Sequence, residues 1–111
     1  MQGPLKEGDW KYLRGIHDEM LHALCMRINE KAAAIATSEA KTPHEQYLKL
    51  CRHIRKSDRI VAECFNDWRR STLGTTIVCL RRHGLLCDSH VACLSDSARR
   101  WLAKLDELQS I

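Results

Sequence analysis

Large apolar residues recur at intervals of three and four in the first third of the chain, and this period is the strongest constraint on the fold. The repeat begins at Trp10, continues through Leu13 and ends at Ile35. Such intervals place side chains on one face of an α-helix, whereas a strand needs an interval of two. The pattern predicts a helix from Asp9 to about Thr37, with Asp9 as its N-cap. At about 1.5 Å per residue, that helix is about 40 Å long and extends past a compact core, so we expect a second subunit to cover it.

Capping signals place a second helix. A Thr at the N-cap, a Pro at the first helical position and a Glu at the third form the strongest of them, so we expect this helix to begin at Pro43. Its apolar stripe is predicted to be buried and comprises Tyr47, Leu50, Cys51, Ile54, Val61, Cys64, Phe65 and Trp68. The polar pair Ser57-Asp58 leaves two alternatives open. The pair lies on the outer face of one long helix, or it caps another helix that begins at Arg59.

The rest of the chain predicts two more helices and one ambiguous segment. Ser71-Thr72 has the character of an N-cap, and cations followed by Gly84 end the third helix at His83. Residues 85–94 form either a helical turn capped by Asp88 or a small hairpin. A last helix opens at 95–96, and linkers are expected at 37–42 and 84–95. The predicted fold is all-α, a small bundle of four to five helices with one long N-terminal helix, in a single domain spanning residues 1–111.

Composition excludes two classes of protein. Hydrophobic residues make up 44% and charged residues 29%, a balance that fits neither a disordered chain nor a membrane protein. Residues 1–7 have no apolar segment of the kind found in a secretion signal. The six cysteines are expected to be reduced, because a chain of this length needs no disulfide framework. The expected location is cytoplasmic.

The positive charge is concentrated in the middle of the chain. Residues 49–82 hold nine basic and three acidic side chains, a net charge of +6, while the remainder sums to −2. Such a segment faces water, an acidic protein surface or nucleic acid.

A winged helix-turn-helix is the sharpest nucleic-acid hypothesis. Residues 72–83 would be the recognition helix and residues 85–94 the wing. The side chains that would contact DNA are Thr75, Thr76, Arg81 and Arg82. A glycine near the start of that helix and the absence of Asn or Gln within it argue against this hypothesis.

No motif indicates an enzyme or a cofactor. Glycine-rich phosphate loops, HExxH and paired carboxylates are absent, so we expect a non-enzymatic protein. One set of residues has metal-ligand character, and it comprises His83, Cys87, His90 and Cys93. The spacing matches no standard zinc finger, so the favoured interpretation is two core cysteines and two histidines without a metal.

The long first helix carries more apolar residues than one core needs, which favours a protein that binds protein. The residues expected to mediate self-association are Trp10, Leu13, Met20 and Leu24. A basic rim is expected from Arg52, Arg55, Arg69 and Arg70. Hydrodynamic size distinguishes this dimer from a monomer.

The chain resembles the small helical quorum-sensing antiactivators of pseudomonads. The likeness consists of the chain length, the amphipathic helix from Trp10 to Ile28, the cap from Thr42 to Glu45, and Cys- and Arg-rich helices without a catalytic motif. The resemblance implies a cytosolic homodimer that binds the ligand-binding domain of a LuxR-type transcription factor. It also implies that binding blocks dimerisation of that factor.

Overall fold

The chain folds into helices alone over the ranges that its computed structural model describes, residues 3–39 and 42–109. The five α-helices are α1 (Glu7–Ala36), α2 (Pro43–Phe65), α3 (Leu73–Arg82), α4 (Asp88–Val91) and α5 (Asp96–Gln109), and a 3₁₀ turn at Arg70–Thr72 precedes α3. The predicted all-α class and the long N-terminal helix are confirmed. Two residues of the predicted linker at 37–42, numbers 40 and 41, lie outside the described ranges.

The first turn of α1 is tied to the start of α5 by Asp9. The N-cap of α1 is Lys6, so the prediction that Asp9 is the N-cap is wrong. Asp9 instead lies three positions further on, where its Oδ2 accepts the backbone N–H of Lys6 at 2.9 Å. The same buried carboxylate accepts the backbone N–H and the hydroxyl of Ser95, each at 2.7 Å. Ser95 Oγ in turn accepts the N–H of Ala98 at 3.3 Å, so the predicted cap of the last helix is confirmed.

Helix α2 begins at Pro43 as predicted and runs without a break. Thr42 Oγ1 accepts the backbone N–H of Glu45 at 3.1 Å, which satisfies one of the free amides of the first turn. The helix is continuous at Ser57-Asp58, which agrees with the alternative of one long helix. Ser57 points inward, however, and not to the outer face as that alternative predicted. Ser57 is buried, and its hydroxyl donates to the carbonyl oxygen of His53 at 2.7 Å.

The end of α3 also follows its sequence signal. Gly84 has a φ of 66°, the left-handed conformation that terminates a helix at low cost only in glycine. Arg27 of α1 reaches this end and donates to the carbonyl oxygens of His83, at 2.6 Å, and Gly84, at 2.9 Å. In the following segment the short helix α4 forms instead of a hairpin, and its N-cap is Cys87 rather than Asp88.

The buried core occupies only part of the molecule. Its largest fully buried side chains are Leu13, Met20, Leu73, Ile77 and Leu80. No hydrophobic residue described between positions 25 and 63 is buried. The radius of gyration is 17.0 Å, against about 13 Å for a compact chain of this size, and the longest extent is 53 Å. The far halves of α1 and α2 therefore project beyond the core, as the length of the first helix predicted.

Candidate protein-binding surface

The projecting part of the molecule is a helical hairpin, formed by residues 25–36 of α1 and 43–57 of α2, which we call the arm. Several of its large apolar side chains are open to solvent. Met26 is 62% exposed, Tyr47 61%, Ile54 40% and Leu48 38%. Apart from the contact of Arg27 with the end of α3, these two helices pack against each other along the arm, so the flank away from α3 stays open.

One flank of the arm is continuously apolar. Residues 47, 50, 51 and 54 recur at three and four positions and therefore share one side of α2. Residues 21 and 25 of α1 share a side in the same way. Arg27 marks the side of α1 next to the end of α3, and Glu63 marks the corresponding side of α2. The apolar residues of each helix lie at least about 120° around the helix from that side. We call this flank the arm patch. It comprises Leu21, one turn before the arm, together with Cys25, Tyr47, Leu50, Cys51 and Ile54.

Within the arm patch, two side chains touch. Interaction with the Cys51 thiol, one turn along α2, raises the pKa of the Tyr47 hydroxyl. The exposed tyrosine presents a flat apolar ring with one polar tip, which is typical of residues at protein interfaces.

A concavity lies next to the arm patch, on the side toward the core. It has a volume of about 400 Å³ and is lined by Arg14, His17, Asp18 and Trp68 among others. The His17 ring stands edge-on to Trp68, with 4.6 Å between centroids, and also to Phe65, at 5.4 Å. Asp18 precedes Leu21 and Cys25 at the same helical spacing, so this aromatic cleft continues the same flank of α1. The sequence pattern predicted that Phe65 and Trp68 are both buried in the core.

The arm is strongly basic, and most of its α2 cations lie on the side of the helix opposite the arm patch. Between positions 49 and 59, α2 carries five cations and one anion, all exposed: Lys49, Arg52, Arg55, Lys56, Arg59 and Asp58. None of these six has an ion-pair partner in the described part of the chain. Their positive field is therefore not neutralised within the protein.

The predicted basic rim is divided between two places. Arg52 and Arg55 lie on the arm. Arg69 pairs with Asp67 at 2.6 Å, and Arg70 pairs with Glu7 at 2.6 Å while its guanidinium stacks over the Trp10 ring. The last two arginines stabilise the junction between α2, the 3₁₀ turn and α1, so they do not form one rim with the first two.

The side chains predicted to mediate dimerisation lie inside the chain's own core. Trp10, Leu13, Met20 and Leu24 are at most 7% exposed. They face α3, α5 and the loop before α4, so they are not available as a surface, and the prediction that they form a dimer contact needs correction. Periodicity identifies an apolar face but does not reveal which part of it the same chain covers.

The predicted buried stripe of α2 also needs correction. Of its eight residues only Cys64 is buried, and burial raises the pKa of its thiol to about 11. Tyr47 and Ile54 are exposed because only α1 lies beside the first half of α2. The sequence signal that could have found this surface is the length of the two helices, which exceeds what the core can cover.

The structure separates the side chains expected to contact DNA. Thr76 is buried at 4% exposure, whereas Thr75 and Arg82 are exposed. Arg81 donates to the carbonyl oxygen of Leu86 at 2.9 Å and pairs with Asp88 and Asp106. Residues 85–94 contain no strand, so the expected wing does not form.

The histidine and cysteine set is divided among other contacts. His90 accepts the backbone N–H of Cys87 at 3.0 Å and lies 3.2 Å from Glu19. His83 lies beside Glu63 instead. Among residues 3–39 and 42–109, no three His, Cys, Asp or Glu side chains are grouped to hold a metal ion. All six cysteines are free thiols. Cys87 and Cys93 are exposed, so the interpretation that they are core residues is wrong.

Comparison with known proteins gives no match among protein-family models, curated proteins or solved structures. None of the described helices is both long and apolar enough to cross a membrane. The arm patch and its charged surroundings therefore provide the basis for a functional proposal.

Proposed function

We propose that the protein is a non-enzymatic regulator that binds another protein through the arm patch. The observation that carries the proposal is an apolar flank on two helices in which Tyr47 and Ile54 are exposed and the other four side chains are half-buried. Water-exposed apolar surface of this kind is costly to maintain and is typical of a recognition site. An apolar row on each of two neighbouring helices suits the apolar stripe of a partner helix.

The charge of the arm defines the partner further. Between residues 49 and 59, α2 carries five cations and one anion, and their field favours the approach of an acidic protein over a basic one. The expected partner is therefore an acidic protein that presents a helix with an apolar stripe. Charge of this kind mainly speeds association and excludes wrong partners, while the apolar contacts supply the affinity.

The resemblance to quorum-sensing antiactivators extends this proposal to a target. In that extension, the arm patch binds the ligand-binding domain of a LuxR-type transcription factor. Binding there covers the surface through which the factor dimerises, so the factor loses its DNA-binding dimer.

A second copy of the chain is the other partner that the sequence predicts. Two copies of the chain carry the same excess of positive charge on α2, so long-range repulsion opposes their association. The charge therefore favours a different, acidic protein for the arm patch. The homodimer stays a prediction, which light scattering of the protein alone tests.

The direct test compares two acidic substitutions on the arm. Ile54→Asp lies in the arm patch, and Met26→Asp introduces the same charge at an exposed apolar site outside it. Binding to the purified ligand-binding domain of a LuxR-type regulator from the same cell is measured by calorimetry and light scattering. We expect Ile54→Asp to weaken binding by about tenfold or more, since it removes one buried apolar side chain, while Met26→Asp binds as the wild type does.

Two results contradict the proposal. Equal binding by Ile54→Asp and the wild type removes the arm patch as the site. Absence of binding by the wild-type protein, with the regulator still dimeric, removes the antiactivator role.

A further inference from the structure

A concave surface distinct from the aromatic cleft lies on the side of the hairpin opposite the arm patch, where the seam between α1 and α2 meets the end of α3. Its volume is about 280 Å³, near the lower end of the range of about 300–1,000 Å³ that small-molecule sites occupy. Matching stripes at intervals of three and four line the two walls, from residues 24 to 31 on α1 and from 53 to 60 on α2. We call this concavity the seam cleft.

The seam cleft is lined by cations and by no acidic residue. Arg27, Lys31 and Lys56 border it. Arg27 is held in place by the two carbonyl oxygens at the end of α3, whereas the two lysines have no ion-pair partner in the described structure. Three like charges around one hollow with apolar walls produce a positive potential that an anion between them would relieve.

A buried polar atom at the cleft lacks a partner. His83 lines the cleft, and its Nε2 is buried without a hydrogen bond among the described residues. The nearby carboxylate oxygen, Oε2 of Glu63, is 3.8 Å away, beyond hydrogen-bond distance. His53 differs, because its Nε2 donates to the carbonyl oxygen of Ile28 at 2.9 Å. Because Nε2 of His83 is shielded from solvent and faces Glu63, a ligand in the cleft does not reach it, and the His83 ring contributes only part of the wall.

The remaining walls are apolar. Leu24, Ile28 and Ile60 supply them. A bare inorganic anion would leave these side chains uncovered, whereas an anion with a hydrocarbon body would cover them. The cleft thus combines a cationic rim with an apolar interior.

We propose that the seam cleft binds a small organic carboxylate with a hydrocarbon body. The carboxylate lies between Lys31 and Lys56 near Arg27, and the hydrocarbon part lies against the apolar walls. The cleft faces α3 and the arm patch faces away from it, so this ligand site is separate from the proposed protein-binding surface.

The test titrates the 111-residue protein with octanoate. Calorimetry measures the affinity, and the NMR signals of His83 report where the ligand binds. The comparison ligands are octanol, which has the hydrocarbon without the charge, and inorganic phosphate, which has the charge without the hydrocarbon. We expect octanoate to bind more tightly than either and to bind more weakly as salt is added. The NMR signals of the His83 ring shift on binding.

Two matched double variants locate the site. Lys31→Gln with Lys56→Gln removes two charges from the cleft, and Lys49→Gln with Lys104→Gln removes two exposed charges elsewhere. We expect the first pair to lower octanoate affinity about tenfold and the second pair to change it by less than about twofold. Circular dichroism checks that both variants are folded.

Several outcomes overturn the proposal. Octanol or phosphate binding as tightly as octanoate shows that the cleft does not recognise the combination of charge and hydrocarbon. Equal losses in the two double variants indicate general attraction to a basic protein. Absence of octanoate binding removes the site and leaves the arm patch untouched.

Discussion

Replacing Asp9 with alanine should lower the free energy of unfolding by about 3 kcal/mol. The Asp9 carboxylate is 2% exposed and accepts three hydrogen bonds, from the amides of Lys6 and Ser95 and from the Ser95 hydroxyl. The hydroxyl has a second neighbour in Ser97 Oγ at 3.3 Å, so the two amides carry most of the loss. An amide without an acceptor costs about 1–3 kcal/mol, and the lost charge at the start of α1 adds about 0.5 kcal/mol.

Urea denaturation followed by circular dichroism at neutral pH measures this change. Asp58→Ala is the matched control, because Asp58 is exposed and has no ion-pair partner in the described structure, so its stability should stay within about 0.5 kcal/mol of the wild type. Asp9→Asn keeps one acceptor oxygen and should fall between the two. A loss below about 1 kcal/mol for Asp9→Ala would refute the conclusion that this carboxylate joins α1 to α5.

Three further changes test the core, the end of α3 and the buried thiol. Leu24→Ala should cost about 3 kcal/mol whereas Met26→Ala on the same helix costs almost nothing, and equal effects in a urea titration would contradict the assignment of Leu24 to the core. Gly84→Ala should cost about 1–2 kcal/mol because its φ is 66°, while Gly15→Ala within α1 should stabilise the protein by about 0.5–1 kcal/mol, and thermal unfolding distinguishes them. The raised pKa of Cys64, about 11 in the folded protein, keeps the thiol protonated there after the unfolded chain has lost the proton. Stability should therefore fall as the pH rises from about 9 to about 11, and a Cys64→Ala variant that shows the same decrease would attribute it to another group.

Local signals in the sequence predicted much of the helical framework. The threonine before Pro43 accepts the expected amide, and Gly84 ends α3 in the expected conformation. Each of these features depends on a few consecutive residues, so the neighbouring sequence contains the whole physical cause. The same reasoning failed at Asp9, because its strongest bonds are to a residue 86 positions away.

The candidate surface could be predicted only in outline. The length of the first helix indicated that part of it would extend past the core, and the structure confirms that extension. The residues predicted to form an exposed contact surface on this helix lie in the core instead: Trp10, Leu13, Met20 and Leu24. Leu24 is buried and Ile54 is exposed, although both belong to apolar stripes with the same spacing of three and four residues.

By itself, the sequence determined the all-α class, the approximate ends of the helices and the concentration of positive charge on α2, because period, capping residues and composition act locally. Only the tertiary structure decided where the core ends. Burial of a side chain depends on the neighbours that other segments supply, and the buried core ends near Leu24 on α1 and includes Cys64 near the end of α2. The remaining halves of these two helices therefore form an arm with an apolar flank on one side and a cationic cleft on the other.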